Sequence, residues 1–137
     1  MPRIPALVAV AAFLAGCATT SAPPPSRCAA DEHEAISDLL YFGTSKPGGS
    51  VSQKDWSDFL LDVVTPRFPK GFTAWQAQGQ WKPERGETQR EVSYVVSIAH
   101  PAGGGADADI RTVIEKYKGR FQQESVLRVS SLACISY

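Results

Sequence analysis

TAWQAQGQW (Thr73–Trp81) changes character at every step, with Thr73, Trp75, Ala77, Gly79 and Trp81 alternating with Gln76, Gln78 and Gln80. A period of two marks an extended strand with unlike faces, because successive side chains leave a strand on opposite sides. A loop containing Pro83 and Gly86 follows. The next run, EVSYVVSIAH (Glu91–His100), alternates again, with Val92, Tyr94, Val96 and Ile98 on one side and Glu91, Ser93 and Ser97 on the other. Two alternating runs joined by a turn-rich segment read as a β-hairpin. With the apolar residues turned inward, Gln76, Gln78, Gln80, Glu91, Ser93 and Ser97 are expected on the outer face.

Working outward, the hairpin is flanked by two helical patterns. On the N-terminal side Ser52 is an N-cap with Asp55 three residues on, and Val51 and Trp56 occupy the positions of a hydrophobic staple. Trp56, Phe59, Leu60, Val63 and Val64 then recur at helical spacing until Thr65-Pro66 stops the run. On the C-terminal side Gly103-Gly104-Gly105 breaks the chain before a helix near Asp107 to Phe121. Its stripe is Ile110, Val113, Ile114, Tyr117 and Phe121, and Asp107 and Asp109 suit the positive end of its dipole.

A strand closes each end. ISDLLYFG (Ile36–Gly43) offers Leu39 and Tyr41 to one side and Leu40 and Phe42 to the other, and stops at a loop around Lys46-Pro47-Gly48-Gly49; Val126 to Tyr137 is β-branched and Ser-spaced. The order β-α-β-β-α-β predicts an α+β, ferredoxin-like domain, a four-stranded antiparallel sheet with two helices on one face. In that topology the last strand lies antiparallel beside the first, so Cys134 approaches the segment carrying Cys28. A Cys28–Cys134 disulfide is expected in an oxidising compartment, against the alternative of two buried free thiols. Two cysteines and the distant His33 and His100 lack the spacing of a metal site, and no cofactor is expected.

The first segment reads as an address. Met1-Pro2-Arg3 and the apolar run Ile4 to Ala15 end in Leu14-Ala15-Gly16-Cys17, a run too short for a membrane-spanning helix. Its ending resembles the bacterial lipobox, which makes residues 1–16 a lipoprotein signal peptide and Cys17 the acylated first mature residue, against an ordinary secretory signal with an incidental cysteine. Residues 17–30 are then the lipidated cysteine and a Pro-rich linker, in which the stalk from Cys17 to Cys28 reaches about 35 Å at full stretch, and residues 31–137 the single domain. Ala18 after the cysteine resembles the outer-membrane sorting pattern. The expected location is the bacterial cell envelope, lipid-anchored at the outer membrane and facing the periplasm.

Composition narrows the partners. The chain of 137 residues has 14 basic and 14 acidic side chains, so no clustered positive field offsets nucleic-acid phosphate, and nucleic acid is excluded as a partner. G-x-S-x-G, H-E-x-x-H, Walker A and dinucleotide glycine patterns are all missing, and Gly103–Gly105 reads as a hinge. His100 before Pro101 is a candidate general base or anion ligand, placed at the same sheet end as Arg67, against a strand-end histidine bonded to backbone. The opposite end is expected to gather Lys46, the loop from Lys82 to Glu87, Tyr117, Arg120, Gln123, Glu124 and Arg128, with Arg120 and Glu124 an exposed ion pair.

Several motifs together resemble a bacterial family of small secreted or lipid-anchored proteins, domain of unknown function 3574. They are Leu40-Tyr41-Phe42-Gly43, Thr65-Pro66-Arg67-Phe68-Pro69 with Gly71-Phe72-Thr73, Gly79-Gln80-Trp81, His100-Pro101, and the run from Tyr117 to Val126. The resemblance implies one intact envelope domain from about Leu39 to Tyr137 and transfers no catalytic residue. The leading expectation is a non-catalytic binding module that uses the open sheet face. The alternative is a small enzyme or ligand-binding protein formed as a dimeric α+β barrel. Tyr41, Arg67, Gln78, Trp81 and His100 are the candidate binding residues, and the membrane, a second copy of the chain or an envelope protein are the expected partners.

Overall fold

The computed structural model describes residues 27–82 and 87–137. Cys17, the signal sequence and most of the linker lie outside the described residues. The elements run in the order β1 (His33–Gly43), β2 (Ser45–Lys46), β3 (Gly49–Ser50), α1 (Gln53–Phe59), a π-helical turn (Leu60–Val64), β4 (Thr73–Trp81), β5 (Gln89–Pro101), α2 (Ala106–Phe121) and β6 (Leu127–Ile135). The four long strands form one sheet in the order β4-β5-β1-β6, and every neighbouring pair is antiparallel. The segment expected to be a plain loop after the first strand is a two-stranded hairpin, β2 with β3, turning at Pro47-Gly48. Gly48 takes a φ of +81°, a backbone state that glycine adopts without the Cβ penalty.

The α1 start is built as its sequence dictates. The Ser52 hydroxyl accepts from the Asp55 backbone N–H at 3.1 Å, and the Asp55 carboxylate accepts from the Ser52 N–H at 3.0 Å, which completes a capping box. Val51 and Trp56 of the staple are both buried. The stripe of α1 and its π turn meets that of α2 over one side of the sheet. Leu40 and Phe42 of β1 and Tyr94, Val96 and Ile98 of β5 pack with Trp56, Phe59, Val64, Ile110, Val113, Tyr117 and Phe121. Trp56 stacks on Tyr94 with ring centroids 4.5 Å apart, and Phe42 meets Tyr117 edge-on at 4.6 Å.

The register settles which face each strand turns to the helices, because directly paired residues share a face. Gln76 pairs with Tyr94, Gln78 with Val92, and Trp75 with Val95. The glutamines of β4 therefore lie on the helix side and Trp75 on the open side, the reverse of the expected orientation. Of the helix-side residues on β4 only Ala74 packs against the core; β4 is an edge strand, and Gln76, Gln78 and Gln80 are exposed. Glu91, Ser93 and Ser97 do face the open side, as do Leu39 and Tyr41.

β6, the other edge, is fastened at both ends. Cys134 is bonded to Cys28 across a separation of 106 residues, and Arg128 reaches across the helix side of the sheet to β1 and α2. Among the described residues no helix is long and apolar enough to cross a membrane.

Candidate functional site

No described element packs on the open face of the sheet. One row of side chains crosses all four strands there: Leu127 of β6 beside Tyr41 of β1, beside Val95 of β5, beside Trp75 of β4. Val95 is 1% exposed, whereas Trp75, Leu127 and Val129 are 43%, 60% and 44% exposed. The remaining positions on this face are mostly small or hydroxylic: Ala35, Ser37, Gly43, Thr73, Ala77, Gly79, Ser93, Ser97, Ala99, Ser131 and Ala133. Among its described side chains Glu91 is the single Asp, Glu, Lys or Arg, in a chain of which 20% is charged.

Glu91 stands on β5 four residues before Val95, away from the apolar row and towards one end of the sheet, in a cleft of about 720 Å³. Two glycines clear the space around it. A Cβ on Gly43 of β1 would lie 3.2 Å from Glu91 Oε1 and 3.4 Å from Gln123 Oε1, and Gly79 of β4 pairs directly with Glu91. The cleft continues past Tyr41 and Ser93 to the β2 strand and the turn after α2. That turn is held by a left-handed Gln122 (φ 55°) and by the Gln123 side chain, whose Nε2 donates to the carbonyls of Ser45 and Phe121. The buried Tyr117 hydroxyl donates to the Gly43 carbonyl at 2.8 Å, fixing the end of β1, and burial pushes its phenol above the usual range.

A polar cluster lies on the helix side of the same strands. Asp38, fully buried on β1, accepts from Arg128 Nε at 2.7 Å and Nη2 at 2.9 Å, and stands 2.8 Å from His100 Nε2. Arg128 also donates to Asp107 at the start of α2, at 2.6 Å, and Asp107 in turn holds Arg111. Burial drives the Asp38 carboxyl upward, but hydrogen bonds from Arg128, His100 and Ser130 together outweigh it and hold the group below its ordinary value. The bonds from Arg128 and Arg111 lower Asp107 as well, and Asp38 in turn raises Arg128. Every member is partnered, so the cluster ties β1, β5, β6 and α2 together and leaves no group free for chemistry.

The candidates from sequence thus separate. Tyr41 lines the cleft, and Trp81 lies on β4 two residues beyond Gly79. Gln78 is on the other side of the sheet. His100 has its Nδ1 3.0 Å from the Pro101 carbonyl and its Nε2 on Asp38, so neither ring nitrogen is available as a base. Its carboxylate partner is 62 residues away in the chain, beyond any motif. Arg67 donates to the Val63 carbonyl at 2.7 Å, closing the C-terminal end of the first helix. Arg128 belongs with Asp38 and His100 rather than with Arg120, and Arg120 pairs with Asp62 rather than with Glu124. Sequence reading missed Glu91, Gly43 and Gly79 as one unit; two glycines flanking an acidic residue on paired strands were the signal.

Two other hollows carry less. A furrow of about 670 Å³ around Gly119 is lined by α2 alone, so no second element closes it. Cys28, Glu32 and Cys134 bring three ligand-type atoms together, but both sulfurs are engaged in the disulfide.

A phage SAM lyase in complex with S-methyl-5′-thioadenosine shares the fold, with a TM-score of 0.55 at 14% identity, covering 82% of this chain and 95% of that one. A phage SAM lyase in its apo state is similar at a TM-score of 0.47 and 12% identity, over 76% and 90% of the two chains. No curated protein matches the sequence. The expectation of a non-catalytic module, which rested on the absence of a catalytic constellation together with an anchor, a stalk and a half-apolar face, is corrected: this fold is one that an enzyme uses. Residues 37–137 match the model of the Protein of unknown function (DUF3574) family, and the chain belongs to it.

Proposed function

We propose that this protein is a small enzyme or ligand-binding protein of the dimeric α+β-barrel type, with its ligand in the Glu91 cleft. The observation that carries the reading is the open face, which is uncharged across four strands except for one carboxylate set in a glycine-cleared trench. A solvated face of an antiparallel sheet is ordinarily polar, and an apolar one is ordinarily covered. The occupant we infer is a second copy. Two such faces pack sheet on sheet at about 10 Å, and a two-fold axis makes both copies contribute the same face, Glu91 included, to the interface. The linker Ala18–Arg27 has no large apolar side chain with which to cover the row.

The strand order, with the last strand beside the first, supports the ferredoxin-like reading on which such barrels are built. The lipobox-like Leu14-Ala15-Gly16-Cys17 supports a Cys17 anchor and a domain over residues 31–137 facing the periplasm from the outer membrane. The Cys28–Cys134 bond suits that oxidising compartment.

The test is the solution mass of the chain from Ser26 onward, by light scattering coupled to gel filtration, followed by calorimetric titration with S-methyl-5′-thioadenosine, the compound held by the phage enzyme. We expect a dimer that Trp75→Glu converts to a monomer. A wild-type monomer at the concentrations used for calorimetry would overturn the barrel.

A further inference from the structure

Six of the described carboxylates each have a basic partner: Asp38 with Arg128, Asp55 with Lys46, Asp58 with Lys54, Asp62 with Arg120, Asp107 with Arg111, and Glu115 with Lys118. Glu91 is different. It accepts a backbone N–H from Ser45 at 3.2 Å and makes no ion pair among the described residues. The cation that lines the cleft and the one next to Glu91 in the chain are committed elsewhere. Lys46, on the rim of the cleft, turns to Asp55 at 3.7 Å and to the face of the Phe121 ring at 5.6 Å. Arg90, next in sequence, projects to the other side of the sheet and donates to Gln80 at 3.0 Å.

The groups around Glu91 have the same polarity. The amide nitrogen of Gln123 is used up on two backbone carbonyls, so its Oε1 is the atom presented towards Gly43. Ser93 Oγ borders the trench beside Gly79, and the Tyr41 side chain lines its wall. The cleft therefore offers the carboxylates of Glu91 and Glu124, an amide oxygen, a hydroxyl and an aromatic side chain. Covering a carboxylate with a second apolar face, with no counter-charge, is costly, and a ligand that brings the positive charge removes that cost. Aromatic faces favour the same charge.

We propose that the Glu91 cleft binds a small organic cation, such as an alkylammonium or a sulfonium, with the Glu91 carboxylate as its counter-ion. This rests on the reading of the cleft as the ligand site.

The experiment uses the full-length chain in mild detergent and two pairs of probes that differ by a single positive charge. One pair is choline and its neutral isostere 3,3-dimethyl-1-butanol; the other is S-adenosylmethionine and S-adenosylhomocysteine. In at least one pair the cation should bind about tenfold tighter than its neutral partner. That preference should vanish in Glu91→Gln and survive in Asp62→Asn, which removes a surface carboxylate. Equal binding within both pairs, binding of no probe, or a preference that persists in Glu91→Gln overturns the proposal. If the chain is still a dimer sensitive to Trp75→Glu under any of those outcomes, the barrel reading stands and only the cation is lost; if it is a monomer, both fall.

Discussion

Phe42 and Tyr41 are neighbours in the chain and nearly equal in size, yet one is completely buried against the rings of Trp56, Phe59 and Tyr117 while the other lines an open cleft. The same contrast divides the whole sheet. The helix side holds the large apolar side chains and a buried charge cluster in which every donor has an acceptor. The open side holds an apolar row that nothing described covers and one carboxylate without a cation. Stability is thus concentrated on one face, and the unsatisfied features lie on the other, where a ligand or a second copy can satisfy them.

The widest gap is expected within that adjacent pair. Phe42→Ala should lower the unfolding free energy by about 4 kcal/mol, and Tyr41→Ala by less than about 1 kcal/mol in the monomer, both read from urea denaturation. Equal losses would break the comparison. Next comes Asp38→Asn, which leaves Arg128 partly unpaired in a buried setting and should cost about 3 kcal/mol at pH 7. Its pH dependence has a definite sign. Asp38 is held below its ordinary value of 3.8 in the folded state, so the stability it contributes is present above that value and is lost as the pH falls through the folded one. The gap between wild type and Asp38→Asn should accordingly close below about pH 4.

A smaller loss, about 2 to 3 kcal/mol, is expected when Cys28 and Cys134 are both replaced by serine. It should show mainly as early fraying of β6 in hydrogen exchange, because that edge strand has few buried side chains of its own. Trp75→Glu should move monomer stability by less than about 1 kcal/mol while halving the mass measured by light scattering. Smallest of all, Glu91→Gln should leave stability within about 0.5 kcal/mol. A large loss there would mean that Glu91 belongs to the folded framework rather than to a site.

Much of this architecture is legible in local patterns. Ser52 and Asp55 specify a capping box because both partners lie within one turn. The stripes of Trp56 to Val64 and Ile110 to Phe121 specify buried faces because helical spacing is a property of neighbours. The pairing of Cys28 with Cys134 follows once the strand order is inferred. The orientation of β4 does not follow in this way. Alternation in Thr73–Trp81 defines two faces but not which one meets the helices, and the large Trp75 makes the wrong one attractive. On an edge strand that the helices scarcely cover, the register with β5 decides, and it turns the glutamines towards the helix side.

The chain order of its polar and apolar residues therefore determined the four long strands, the two helices, their succession and the disulfide partners, since each depends on contacts a few residues apart or on topology alone. Only the tertiary structure decided that Asp38 meets His100 and Arg128 across 62 and 90 residues. Only it set Gly43, Gly79 and Glu91 together at one end of an uncharged face. Such groupings are fixed by strand register, which arises from the packing of the whole sheet and leaves no mark in any single segment.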